Sequence, residues 1–289
     1  MARKEATIGV IGGSGLYEME GLASVEFVDM DTPFGKPSDA IALGSLEEVA
    51  VAFLPRHGRG HGFNPSNIPA RANIFALKAL GVQRIISISA VGSLREEFAP
   101  LDLVVPNQLI DRTRQRAGTF FDGDMVVHIA FAEPFCAVTS QALCKAAQEL
   151  RATVHSGGTM VVMEGPAFST RAESFMYRAW GADLIGMTGL PEAKLAREAE
   201  ICYATLACVT DYDCWHQSSE SVTVDMVVQN LRRNAETAQG VLRRVIPRLN
   251  GQRACPCASA LKDAILTPAH QVSEATKRKL APLVGRYLE

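Results

Sequence analysis

The sequence carries no surplus of either charge: 29 lysines and arginines face 31 aspartates and glutamates, leaving a net charge of −2. Duplex nucleic acid is bound by basic clusters that neutralise phosphates, so no nucleic-acid partner is expected, and Arg112, Arg114 and Arg116 read as a local feature. No apolar run approaches the roughly eighteen residues that cross a bilayer, which argues against a membrane partner. Met1-Ala2-Arg3-Lys4-Glu5 runs directly into a strand pattern instead of a leader, and the expected compartment is the cytoplasm. Internal repeats and low-complexity tracts are missing too. So is a disulfide framework. The seven cysteines, at 136, 144, 202, 208, 214, 255 and 257, are odd in number, scattered and mostly set among apolar neighbours, as reduced buried thiols are. Cys255-Pro-Cys257 is one residue short of the usual zinc half-site and has no second pair, so no metal ligand is assigned. A bridge between the two would be strained, and a bridge to another cysteine stays open.

What is present is apolar material, 47% of 289 residues, enough for one large domain or two small ones. β-Branched runs at 7–11, 49–54, 84–89, 103–105, 159–163, 183–187 and 201–209 predict buried strands. Between them lie helical spacings. Ile74, Leu77 and Leu80 share a stripe over 71–80 that stops at Gly81; Leu143, Ala147 and Leu150 do so over 141–151; Pro191 opens a third helix. The alternation predicts an α/β fold, a single domain with a mixed, largely parallel central sheet flanked by helices and with sites at the strand ends. From 223 a long helix follows, with Val224, Val227, Val228, Leu231 and Ala235 on one face, ending at Pro247. The expected division is a domain over 1–249 and a helical tail over 250–289. Short helices at 258–266 and 273–283 would dock that tail on the domain or on a neighbouring subunit, unless it is loosely attached.

Several strand ends carry chemistry. Gly12-Gly13-Ser14-Gly15 lets backbone amides converge on an anion, with Ser14 adding a hydroxyl. A dinucleotide fingerprint fails there, because Glu18 stands where the third glycine belongs. Arg56-His57-Gly58-Arg59-Gly60-His61 places a planar guanidinium and an imidazole on a glycine-studded loop, and those glycines oppose a metal-binding helix through His57 and His61. Ser89 and the Ala90 amide close a further strand, and Gly186-Met187-Thr188-Gly189 repeats the theme. Asp211 and Asp213 follow the last apolar run two residues apart, a spacing that can point both carboxyls one way. In a shared, partly dry site like charges resist double ionisation, so one acid can donate while its neighbour accepts. Asp-x-Asp is also common in solvated turns, and on these residues alone that reading stays open.

Taken in order, Gly12-Gly13-Ser14-Gly15-Leu16, Asp31-Thr32-Pro33-Phe34-Gly35-Lys36-Pro37-Ser38, Arg56-His57-Gly58-Arg59, Glu164-Gly165-Pro166, Phe168-Ser169, Arg171-Ala172-Glu173-Ser174 and Thr210-Asp211-Tyr212-Asp213-Cys214-Trp215 resemble the methylthioadenosine phosphorylases, in the trimeric branch of the purine nucleoside phosphorylases. The likeness spans about 7–247. It implies phosphate-dependent cleavage of a nucleoside, with inorganic phosphate as co-substrate and no metal or organic cofactor. Matched by position, Ser14, Arg56, His57, Ser89, Ala90 and Thr188 would hold phosphate; Phe168 would face the base and Met187 the ribose; Asp211 and Asp213 would read the purine; Val224, Val227 and Val228 would line the 5′ side. Catalysis would fall to Asp211, Asp213, Ser14 and His57. His128 matches a position that reaches a neighbouring subunit's 5′ pocket, and the implied assembly is a homotrimer, single or paired. Heat-adapted members carry a Cys-x-Cys near the C-terminus, which implies a Cys255–Cys257 bridge. Ala167 departs from the family's arginine and removes a charge near the rim. A broader adenosine or 6-oxopurine phosphorylase, a nucleotide-binding oxidoreductase and a silent nucleoside-binding protein remain as other readings; the acid pair, the missing third glycine and adenine release, respectively, separate them from the first.

Overall fold

The computed structural model describes residues 6–13, 21–216 and 224–288, and of residues 224–228 and 231 the backbone alone. The chain runs β1 (Ile8–Gly12), β2 (Leu22–Val28), β3 (Ile41–Leu46), β4 (Val49–Pro55), α1 (Ala70–Ala79), β5 (Arg84–Ser93), β6 (Leu103–Val105), β7 (Gln108–Arg112), α2 (Ala137–Glu149), β8 (Val154–Ser156), β9 (Thr159–Met163), α3 (Arg171–Ala179), β10 (Leu184–Gly186), α4 (Glu192–Glu198), β11 (Cys202–Tyr212), α5 (Val224–Leu249) and α6 (Glu274–Val284). Helices cover both faces of the sheet, and this explains why its inner strands read as continuous apolar runs. Ile11, Leu54, Ile85 and Val209 pack on one side with Ile74 and Leu77 of α1 and Leu195 of α4. Val10, Phe53, Ile86 and Leu206 pack on the other with Leu143 of α2 and Leu242 and Val245 of α5. Burying each such side chain contributes about 1.5–3 kcal/mol before conformational entropy is charged against it.

The strands pair in the order β2-β3-β4-β1-β5-β10-β9-β7, with β11 on β5, β6 on β11 and β8 on β6. β5 is where the sheet divides. Over Arg84–Ser87 it lies between β1 and β11, both parallel to it. Beyond Ser87, β1 has turned away, and only at Gly92 and Ser93 does β10 arrive, antiparallel. Among the described residues, one flank of β5 is therefore open between them. β11 pairs β5 through its whole length, with a bulge that inserts Thr210 between the pairs Val209–Val91 and Asp211–Gly92.

Some elements differ from the sequence expectation. β5 and β11 run further, because their last residues are polar yet still paired. β2 and β3 were not anticipated; β2 is an edge whose Val25 and Phe27 are exposed, so it lacks an apolar run or a clean alternation. α3 was also missed, although Thr170 and Glu173 form a reciprocal capping box at its start. α5 continues through Pro247 to Leu249, since a proline in the last turn forfeits only one helical bond. Residues 258–266 form no helix: Pro256–Ser259 is a single 3-10 turn, followed by turns. The tail nonetheless docks on this chain, with Leu261, Val272, Leu280, Leu283 and Val284 joining the cluster that holds α1 and α4.

Candidate active site

The open flank of β5 lies beside a cavity of about 300 Å³. Alternation along β5 sends the backbone groups of Ile88 and Ala90 toward the side β1 has left. Arg56, just after β4, caps the Ile88 carbonyl through Nη1 at 3.0 Å. Its remaining bonds lock it in place. Nη2 donates to Ser87 Oγ at 2.6 Å and to Glu192 Oε2 at 3.1 Å, and Nε donates to Glu192 Oε1. Tyr203 of β11 donates to the same Glu192 carboxylate at 2.8 Å. Burial would raise the Glu192 carboxyl, yet the Arg56 charge holds it below its ordinary value. Four of the five guanidinium N–H groups are thus engaged, and one on Nη1 remains.

Thr188, two residues beyond β10, donates to Ser89 Oγ at 3.0 Å, so the two hydroxyls meet across the gap in the sheet. His57 Nδ1 lies 2.8 Å from the Phe63 carbonyl, and burial pushes the imidazole below its ordinary pKa. The ring is therefore neutral near pH 7, with Nδ1–H donating and Nε2 left as an acceptor.

Asp211 and Asp213 reach the same cavity from the end of β11. The bulge at Thr210 re-aims the strand end, and both acids line the cavity while only 8% exposed each. Thr210 donates to Asp211 Oδ2 at 2.7 Å. Burial first, and the neighbouring Asp213 charge second, push Asp211 up to about 6. Burial also raises Asp213, whose buried Oδ2 has no hydrogen-bond partner among the described residues. Two asparagines of α5 hold the bulge: Asn230 donates to the Thr210 carbonyl at 2.6 Å and Asn234 to that of Val209 at 2.9 Å. At Gly92, opposite, a Cβ would lie 3.3 Å from Asp211 Oδ1 and 3.1 Å from Ile185 Cγ2, so a larger residue would crowd the acid.

Phe168 and Met187 complete the walls from the loops after β9 and β10. Arg116 fastens those loops together: its guanidinium reaches the carbonyls of Met163, Glu164, Met187 and Leu190 at 2.7–3.1 Å. Gly165 takes a left-handed φ of +70°, and a Cβ there would collide with Met187 Sδ at 2.6 Å.

The fold therefore brings together Arg56, His57, Ser89, Ala90, Phe168, Met187, Thr188, Asp211 and Asp213. Ser14 lies outside the described residues, as do the side chains of Val224, Val227 and Val228 in the first turns of α5. His128 is exposed, bonds through its amide to Ala264 and does not line this cavity. The sequence reading singles out none of Glu192, Asn230, Asn234 and Arg116 for the site. A signal existed for the asparagines, two amides four apart on an otherwise apolar-striped helix; none existed for Glu192.

The family model of the phosphorylase superfamily matches residues 7–247. The S-methyl-5′-thioadenosine phosphorylase of Geobacter sulfurreducens is 54% identical over 98% of this chain and 100% of its own length. That of Chloroflexus aurantiacus is 56% identical over 98% of each. Among solved structures, a methylthioadenosine phosphorylase from an antarctic soil metagenomic library superposes with a TM-score of 0.94 at 49% identity, over 97% of this chain and 99% of the other. The methylthioadenosine phosphorylase of Schistosoma mansoni in complex with tubercidin gives 0.81 at 38% identity, over 89% and 96%.

Proposed function

The chain belongs to the phosphorylase superfamily, and on that premise we propose that its pocket cleaves S-methyl-5′-thioadenosine with inorganic phosphate, releasing adenine and 5-methylthioribose 1-phosphate. One observation carries this reading: a single cavity is lined both by guanidinium and hydroxyl donors and by two buried acids.

Phosphate is held by the remaining Nη1–H of Arg56, the Ser89 and Thr188 hydroxyls and the Ala90 amide, and the family resemblance assigns Ser14 to the same group. His57, neutral with Nε2 as acceptor, suits the P–OH of hydrogen phosphate. Glycosidic cleavage develops oxocarbenium-like charge on the sugar, and a phosphate anion beneath the ring stabilises it. Adenine presents N7 as an acceptor and its 6-amino group as a donor. Asp211, whose pKa near 6 keeps a protonated fraction available, donates to N7 as the bond breaks; the unpartnered Asp213 Oδ2 accepts from the amino group. A 6-oxopurine would set O6 against that same oxygen and leave buried acceptors unpaired. Phe168 packs on the base and Met187 on the ribose, and the family resemblance assigns the methylthio side to Val224, Val227 and Val228.

An exposed His128 remote from its own pocket supports a homotrimer in which it completes a neighbour's 5′ side. Sedimentation distinguishes a single trimer from a pair of trimers. The scheme calls for no metal or organic cofactor, and the reading includes a cytoplasmic location; among the described residues no helix is long and apolar enough to cross a membrane. Adenine release from S-methyl-5′-thioadenosine, measured with and without phosphate beside adenosine and inosine, tests the proposal. Release that needs phosphate and is weak with inosine is expected. Release without phosphate, or none, overturns the mechanism, and preference for inosine overturns the roles of the acids.

A further inference from the structure

At the end of β11 remote from the cavity, four thiols from three separate segments converge. Cys202 opens β11, Cys136 caps the start of α2, and Cys255 and Cys257 come from the tail. All four sulfurs lie within 4.8 Å of one another, with Cys202 Sγ 3.3 Å from Cys255 Sγ. Cys136, Cys202 and Cys257 are buried and Cys255 is half-buried. All are free thiols, so the bridge between Cys255 and Cys257 is not formed; vicinal-but-one cysteines close such a bond only with strain. The second half-site that the sequence lacked is supplied from 53 and 119 residues upstream of Cys255, by Cys202 and Cys136.

We propose that Cys136, Cys202, Cys255 and Cys257 form a closed four-sulfur site for one thiophilic divalent cation of the zinc class. Each sulfur has three sulfur neighbours, which two pairwise bridges do not require and one tetrahedral ion does: metal–sulfur bonds of about 2.3 Å place the sulfurs roughly 3.8 Å apart. The thiols lose their protons to solvent as the ion binds. The N-terminus of the thirteen-residue α2, beside Cys136, offsets part of the thiolate charge. With four protein ligands and no open position, the site is structural. Asp211 lies nine residues further along β11, roughly 30 Å away at the rise of an extended strand, so the ion takes no part in the reaction. What it fixes is the tail, whose Leu261, Leu280 and Leu283 complete the main core.

The test uses the full chain purified without chelators under reducing conditions. Elemental analysis is expected to find close to one zinc per chain. Metal-stripped protein titrated with cobalt(II) is expected to show thiolate-to-metal charge transfer in the near ultraviolet and the visible bands of a tetrahedral centre, both lost in the Cys255→Ser, Cys257→Ser double variant. Should that variant fail to fold, the cobalt spectrum of the native chain decides alone. Metal-free protein that gives no charge-transfer band with cobalt overturns the proposal, and so does thiol titration of a parallel preparation, purified without reductant and then denatured, that finds these four cysteines consumed in two disulfides.

Discussion

On the wall of the cavity formed by β4 and α4, Arg56 is bonded to Glu192, Glu192 to Tyr203, and the whole group is buried. On the wall formed by the end of β11, Asp211 has Thr210 as its donor and Asp213 Oδ2 has no partner among the described residues. The first wall is charge-balanced; the second is not, and burial, with the Asp213 charge adding to it at Asp211, raises its acids. Rigidity and readiness are thus separated. On the proposed reading, the anion-facing side is preorganised in a fixed geometry, whereas the base-facing side holds protons that a ligand's own donor and acceptor pattern can arrange.

Asp211→Asn attacks the contrast from the unbalanced side. It is expected to lower adenine-nucleoside turnover by about 10²–10⁴-fold, the usual worth of a positioned general acid, while phosphate affinity stays nearly unchanged. Steady-state kinetics and phosphate titration check both, and loss of phosphate binding would merge two walls that the structure keeps apart. The same variant should be more stable than the parent. Because the folded pKa of Asp211, about 6, exceeds its unfolded value of 3.8, the parent's advantage from this group is complete below pH 3.8 and is lost as pH rises through 6. The gap in unfolding free energy should therefore open between pH 4 and 7 to at most about 3 kcal/mol. Equal stability of the two proteins at pH 7.5 would mean that the carboxyl is not strained.

Glu192→Gln attacks the balanced side. Removing one member of a buried pair leaves Arg56 uncompensated, a loss of about 3–5 kcal/mol, and phosphate should raise the melting temperature of this variant more than that of the parent. A melting temperature unchanged from the parent would show that Arg56 does not depend on Glu192. Asn234→Ala should cost the least, about 1–2 kcal/mol from the unpaired Val209 carbonyl, with an effect on turnover but little on phosphate affinity. Urea unfolding and kinetics together check it; a loss of stability with turnover unchanged would separate the bulge from the aim of Asp211.

Legibility in the sequence followed the range of the interaction. The inner strands were readable because burial on both faces writes itself as a local apolar run, and the residues at their ends followed from that. Asp211 and Asp213 were readable for the same reason, although the bulge that aims them was not, since one extra residue leaves no mark in composition. Glu192 pairs with Arg56 across 136 positions, and the sulfur cluster joins Cys136 to Cys257; neither spacing resembles a local motif. Arg116 was dismissed as local when it in fact clamps two loops, because a guanidinium bonded to carbonyls has no recognisable partner in the sequence.

Among the described residues β1 pairs β5 only as far as Ser87, whereas β5 continues to Ser93, and the cavity lies beside the stretch between. The donors there are backbone groups of β5 itself, which substitutions along the walls leave in place while they retune what fits. On the proposed reading, an anion that meets the Ala90 amide takes the hydrogen-bonding position of a sheet neighbour. In architectural terms the substrate then serves as an edge strand for that stretch of β5.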